Sequence, residues 1–162
     1  MKKGGVILYP TETIYGLGCN AFDEQAVARI FTIKGRPDTK PVLVLVRNLT
    51  MLKSIVDDIP PVAVKLMEKF WPGPLMIIFN TRKILNSLLT AGTGKIGVRI
   101  PGNKFCIKLL REAKTPIVST SANISGVQYD PSIRSLKQLF SDKVDLIIED
   151  RKSTRLNSSH RT

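Results

Sequence analysis

The stretch VILYPTETIYGLG, residues 6–18, decides how the chain is read. Four apolar residues run straight into Pro10, Thr11 and Thr13 flank Glu12, and Tyr15, Gly16 and Gly18 follow. A short apolar run that stops at Pro reads as a covered strand entering a turn. Gly and Pro alone would make such a turn, so the extra hydroxyls ask for another purpose. Polar turns at strand ends are where α/β proteins place ligands, so this stretch is one of several that could border a site.

Working outward, strand-length apolar runs recur at 42–46 (VLVLV), 75–79 (LMIIF), 96–100 (IGVRI), 117–119 (IVS) and 144–148 (VDLII). Most are continuous rather than alternating, as expected for strands covered on both faces. Helical patterns lie between them. DEQAVARIFTIK offers Asp23 as N-cap and an apolar stripe of Ala26, Val27, Ile30 and Phe31. PPVAVKLMEKFW starts on prolines, and NKFCIKLLREA and SIRSLKQLF carry similar stripes with basic residues outside. The expected fold is α/β, a single domain with a twisted mixed β-sheet flanked by helices, over residues 1–150.

The formal charge of +12 in 162 residues points to polyanionic partners, nucleic acid or phosphorylated small molecules. Four of the 25 basic residues and none of the 13 acidic ones fall in the final RKSTRLNSSHRT, leaving +8 on the preceding 150. This string (151–162) has no periodicity and reads as sequencing-adaptor read-through or a disordered tail rather than as part of the fold. Cys19 and Cys106 stand far apart with no CxxC, which supports neither a disulfide framework nor a zinc site. No run approaches the length of a membrane span and no secretory signal opens the chain, so a soluble cytoplasmic protein without membrane partners is expected. His160, in the tail, is the sole histidine, and HExxH, GxSxG and GxxxxGK[ST] do not occur. A Ser-His-Asp hydrolase, a histidine-ligated metal enzyme and a Walker-type NTPase are therefore unsupported. Positioning and charge stabilisation on phosphates remain available to such a chain.

Three further segments hold side chains that turn chemistry does not demand. In KGRPDTK, Lys34 and Arg36 stand two apart where a helix ends at Gly35. They can grip a phosphate, the Arg as a bidentate fork, or form a solvated basic turn. In IVSTSANISG, a strand ends in Ser119, Thr120, Ser121 and Asn123, which can donate to an oxyanion or serve as ordinary turn and cap residues. Arg99, in an otherwise apolar run, is costly to bury without an anion. Glu12, Asp38 or a bound carboxylate would each satisfy it.

Taken together and in order, GGVILYPTETIYGLG, IFTIKGRP, FWPGPL, IGVRIP and STSANISG resemble the YrdC-like family of threonylcarbamoyl-AMP synthases from about Gly4 to Asp150. The resemblance implies a nucleotidyltransferase that condenses L-threonine, bicarbonate and ATP into threonylcarbamoyl-AMP and pyrophosphate for tRNA modification, with Mg²⁺. A downstream threonylcarbamoyl transferase would take the product. It places the ATP phosphates on Lys34, Arg36, Lys95, Ser121 and Asn123, with Lys34 and Arg36 catalytic and no metal-ligating residue. It places L-threonine at Thr11, Thr13, Tyr15, Arg99 and Ser119, with Gly16 and Gly18 admitting the backbone. In the implied reaction a carbamate oxygen formed on threonine attacks the α-phosphorus, and no protein nucleophile is needed. Three departures stand out. Only three residues precede Gly4, the family's Pro-Ser-Thr strand and Arg-Pro-Gly segment are not seen, and Thr120 replaces a frequent Pro, a change of minor expected consequence. A truncated member with an incomplete site is expected.

Two other readings compete. A basic module for tRNA or double-stranded RNA would use the same charge, although 6% aromatic residues, mostly in apolar runs, provide few stacking platforms for single strands. A carbamoyl-adenylate-forming domain of the hydrogenase-maturation type would share the fold with another substrate.

Overall fold

The computed structural model describes residues 1, 3–35, 39 and 42–150. Arg36, Asp38 and the tail 151–162 lie outside the described residues. The elements are β1 (Ile7–Pro10), β2 (Tyr15–Asn20), α1 (Glu24–Lys34), β3 (Leu43–Leu45), α2 (Leu49–Lys53), α3 (Pro61–Phe70), β4 (Ile77–Asn80), α4 (Ser87–Thr90), β5 (Lys95–Arg99), α5 (Lys104–Ala113), β6 (Ile117–Ser121), α6 (Ile133–Phe140) and β7 (Leu146–Ile147). The strands form one mixed sheet in the order β4-β5-β3-β6-β2-β1-β7. β1 with β7 and β3 with β5 run parallel, and the remaining pairs are antiparallel.

Helix boundaries follow local chemistry. The Asp23 carboxylate accepts from the amides of Gln25 and Ala26 to start α1, and Gly35, at φ 86°, ends it in the left-handed region that favours glycine. Asn103 and Ser132 cap α5 and α6 in the same way.

The largest difference from the sequence reading is β2. Tyr15–Asn20, read as part of a turn, is a strand between β1 and β6. Its two glycines weaken the usual strand signature, because alternate positions carry no side chain. That alternation is informative. Leu17 and Cys19 are fully buried against the helices, while Gly16 and Gly18 lie on the opposite face.

The two faces differ throughout. Leu8, Leu17, Val44, Val98 and Val118 pack with residues of α1, α2, α3, α4 and α6 into the larger core. Ile7, Tyr9, Leu45 and Ile117 pack with Cys106 and Leu110 of α5 into the smaller one. Each fully buried Leu or Ile contributes roughly 1.5–3 kcal/mol of transfer free energy, so the helix-rich face carries most of the stability. The strands are not all covered on both faces. Ile78 of edge strand β4 and Leu146 of edge strand β7 are exposed. No helix among the described residues is long and apolar enough to cross a membrane.

Candidate functional site

Register pairs Gly16 with Ser121, Gly18 with Ser119, and Leu43 with both Ser119 and Gly97. Side chains at paired positions share a face, and those two residues apart share it too, so Gly16, Leu43, Arg99, Ser119 and Ser121 all front the face bearing α5. Beyond α5 this face is lined by small residues, and a cavity of about 170 Å³ opens there. The β1–β2 turn folds over it. Thr11, Thr13, Tyr15, Arg99 and Ser119, all five expected amino-acid contacts, line the cavity with Gly16 and Ser121. The site therefore sits on the sheet face, not in the crevice at the strand ends that a doubly wound fold would use.

The hydroxyls divide their work. Thr11 donates to the Ile14 carbonyl, and its oxygen accepts weakly from the amides of Thr13 and Ile14, so its first task is to shape the turn. Thr13 is exposed at the rim. The Tyr15 hydroxyl accepts from the Asp150 amide at 2.9 Å, tying the last described residue to the cavity. Buried Ser119 accepts from the Tyr9 phenol at 2.6 Å. Gly16 leaves the cavity open. A Cβ there would stand 3.2 Å from the Thr120 carbonyl and 3.3 Å from Thr11 Cγ2.

Arg99 pairs with Glu12, one of its expected partners, but loosely, at 3.7 Å from Nη1 to Oε2. The other Glu12 oxygen accepts from the amides of Gly102 and Asn103 at 3.0 Å each, pinning the β1–β2 turn to the start of α5. Arg99 Nε is buried and has no hydrogen-bond partner, the one such side-chain atom among the described residues. A buried guanidinium N–H with no acceptor is costly.

The phosphate candidates are partly assembled. Lys34, 7% exposed, donates to Thr120 Oγ1 at 2.8 Å and to the Ser121 carbonyl and Asn123 Oδ1 at 3.0 Å each. Ser121 donates to the same Asn123 oxygen, and the Ser125 amide donates to the Lys34 carbonyl. The helix end and the loop 120–125 are thus one unit. These three hydrogen bonds from the ammonium let Lys34 hold the loop in shape and lend it charge. Thr120 supplies one of the accepting oxygens, which a proline at that position would lack.

Arg36 lies outside the described residues. Lys95 is not brought to this cluster. It begins β5 opposite Asn80 of the edge strand, two strands away from β6, and borders a separate cavity with Asp58, Pro60 and Phe79. It shares a face with Arg99, but four residues of strand place it about 13 Å further along. Sequence reasoning overlooked Tyr9, which looked like one more apolar strand residue. Its only signal was a phenol in a run that was otherwise aliphatic.

The sequence profile of the Sua5/YciO/YrdC family, described as "Telomere recombination", matches residues 1–160. The threonylcarbamoyl-AMP synthase of Pyrococcus abyssi is 36% identical over 149 residues, covering 92% of this chain and 44% of that protein. The enzyme of the same name from Cellvibrio japonicus is 31% identical over 159 residues, covering 98% of this chain and 84% of that one. Among solved structures, P. abyssi Sua5 complexed with L-threonine superposes with a TM-score of 0.82 at 37% identity, over 90% of this chain and 43% of that one. The chain thus spans less than half the length of the Pyrococcus protein. With the mixed sheet, the cavity on its small-residue face and the Lys34–Ser121–Asn123 unit all in place, the chain belongs to the Sua5/YciO/YrdC family.

Proposed function

We propose that the chain carries threonylcarbamoyl-AMP synthase chemistry, condensing L-threonine, bicarbonate and ATP in the cytoplasm with release of pyrophosphate. The observation that carries this is Arg99, only loosely paired with Glu12, in the lining of a hydroxyl-rich cavity of about 170 Å³. That volume is below the usual range for drug-sized ligands and suits a single small amino acid, whose carboxylate would complete Arg99. The relatives' names and the L-threonine in the Pyrococcus structure support the same reading.

In this reading Arg99 orients the carboxylate, and Ser119, Tyr15 and Thr13 offer hydroxyls to the rest of the amino acid. The ATP phosphates lie against Ser121, Asn123 and the charge of Lys34 and Arg36. Lys95 is assigned no contact there. Attack of the carbamate oxygen on the α-phosphorus shifts charge to the departing pyrophosphate, which those cations stabilise. Among the described residues no three His, Cys, Asp or Glu side chains gather as a metal site. Mg²⁺, accompanying the nucleotide, would supply charge neutralisation on its phosphates, and no residue of this chain is assigned to it. The product would pass to a transferase acting on tRNA.

The test is pyrophosphate release with each component omitted in turn. Release should require L-threonine and bicarbonate together. Equal release with L-serine, or with no amino acid, overturns the assignment. Arg36→Ala should weaken ATP binding about tenfold, as expected for a lost charge-assisted fork. Unchanged ATP affinity with a lowered salt dependence of tRNA binding would favour an RNA-binding surface instead.

A further inference from the structure

Tyr9 stands outside every role assigned so far, yet it is fully buried beside the cavity. Its ring is tilted against Phe105 of α5 at 6.2 Å, and it lies across β2 over Gly18. A Cβ at Gly18 would come within 2.7 Å of Tyr9 Cε1, so the ring occupies the space that the glycine leaves. Its hydroxyl ends 2.6 Å from Ser119 Oγ. A buried phenol must place its hydrogen on an acceptor, and among the described residues Ser119 is the partner it has. Burial also pushes the Tyr9 phenol well above its ordinary titration range, which keeps that hydrogen in place.

The consequence falls on Ser119. A serine hydroxyl has one hydrogen and two acceptor sites, and one acceptor site is taken by Tyr9. Its own hydrogen must point elsewhere. The cavity side of Ser119 is open because position 16 has no side chain, and a Cβ there would stand 3.6 Å from Ser119 Oγ. Resting on the amino-acid site assigned above, we propose that Tyr9 is a positioning residue. By donating to Ser119 it turns the Ser119 hydrogen into the cavity, where Ser119 acts as a fixed donor to an oxygen of the bound amino acid.

Titration calorimetry of the full chain with L-threonine tests this. Tyr9→Phe keeps the ring and removes only the hydroxyl. It should weaken L-threonine about fivefold or more and leave ATP affinity within about twofold. Ser119→Ala should weaken L-threonine similarly, and in that background Tyr9→Phe should add less than about twofold, because the two act through one hydrogen bond. Unchanged L-threonine affinity in Tyr9→Phe, or additive effects in the double variant, overturns the proposal. As a second arm, 3-fluorotyrosine at position 9 makes the phenol a stronger donor with little change in packing. It should tighten L-threonine binding only when Ser119 is present, and no shift overturns the proposal as well. If the unsubstituted chain itself binds no L-threonine, the amino-acid site is wrong. If it binds and Tyr9→Phe binds equally, only the positioning role falls.

Discussion

Gly16 illustrates how much of this site depends on what a residue lacks. Position 16 sits centrally in β2, facing Ser121, where a β-branched residue would be the usual choice. Its missing Cβ is what keeps the cavity open beside Thr11 and Ser119. Gly16→Ala demands no forbidden backbone angle, since its φ lies outside the left-handed range. The added methyl group occupies part of a cavity of about 170 Å³. The variant should fold and lose L-threonine affinity by about tenfold or more, read by titration calorimetry, since a buried methyl that overlaps a ligand costs over 1 kcal/mol. Undiminished affinity would move the amino acid elsewhere.

At the scale of elements, α1 joins the fold's stability to the site. Its first turn is fixed by Asp23, whose carboxylate accepts from Gln25 and Ala26 and, with its other oxygen, from Gly4. The Gly4 hydrogen bond is the main reason its carboxyl is held below the usual range, helped by the amides of Ala26 and Gln25. The folded value is thus depressed below the unfolded one of about 3.9, so the stabilisation is complete above that pH and drains away as pH falls through the folded value. Asp23→Asn should be less stable than the natural chain at pH 7 in urea unfolding, with the gap narrowing as pH falls below the unfolded carboxyl value. A gap independent of pH would assign the cap's worth to shape and not to charge. At its other end α1 delivers Lys34 to the loop 120–125, so a well-formed α1 is a condition for a well-formed phosphate loop.

Across the whole molecule the sheet separates two duties by face. The helix-bearing face is filled with Leu, Val and Ile, and the α5 face gives part of its area to Gly, Ser and Arg around the cavity. Neighbouring residues of β2 can therefore be set against each other. Leu17→Ala, on the filled face, should cost about 2–5 kcal/mol of unfolding free energy. It should leave L-threonine affinity of the folded protein within about twofold, while Gly16→Ala should lose affinity at a smaller cost in stability, its Cβ pressing on the Thr120 carbonyl and Thr11. Measuring denaturant midpoints and ligand affinity for both variants checks the division, and a loss of both properties in both variants would abolish it.

What the sequence by itself determined is local. The start of α1 was legible because its cap, Asp23, acts within three residues of itself, and Asn103 and Ser132 act the same way at α5 and α6. The other six strands announced themselves as largely apolar runs: those at 42–46, 75–79 and 144–148 are longer than β3, β4 and β7, that at 96–100 matches β5 in length, that at 117–119 is shorter than β6, and β1 was legible up to Pro10. The resemblance placed Lys34, Ser121 and Asn123 at one phosphate site, and the structure brings those three together. What only the tertiary structure decided is register and face. β2 hid behind its glycines because a strand with every second side chain missing carries half the usual signal, and only pairing with β1 and β6 identifies it. Register then places Ser119 beside Gly18, and so within reach of a tyrosine 110 residues earlier in the chain. No spacing rule connects such residues, because strand order, not sequence distance, sets which side chains meet.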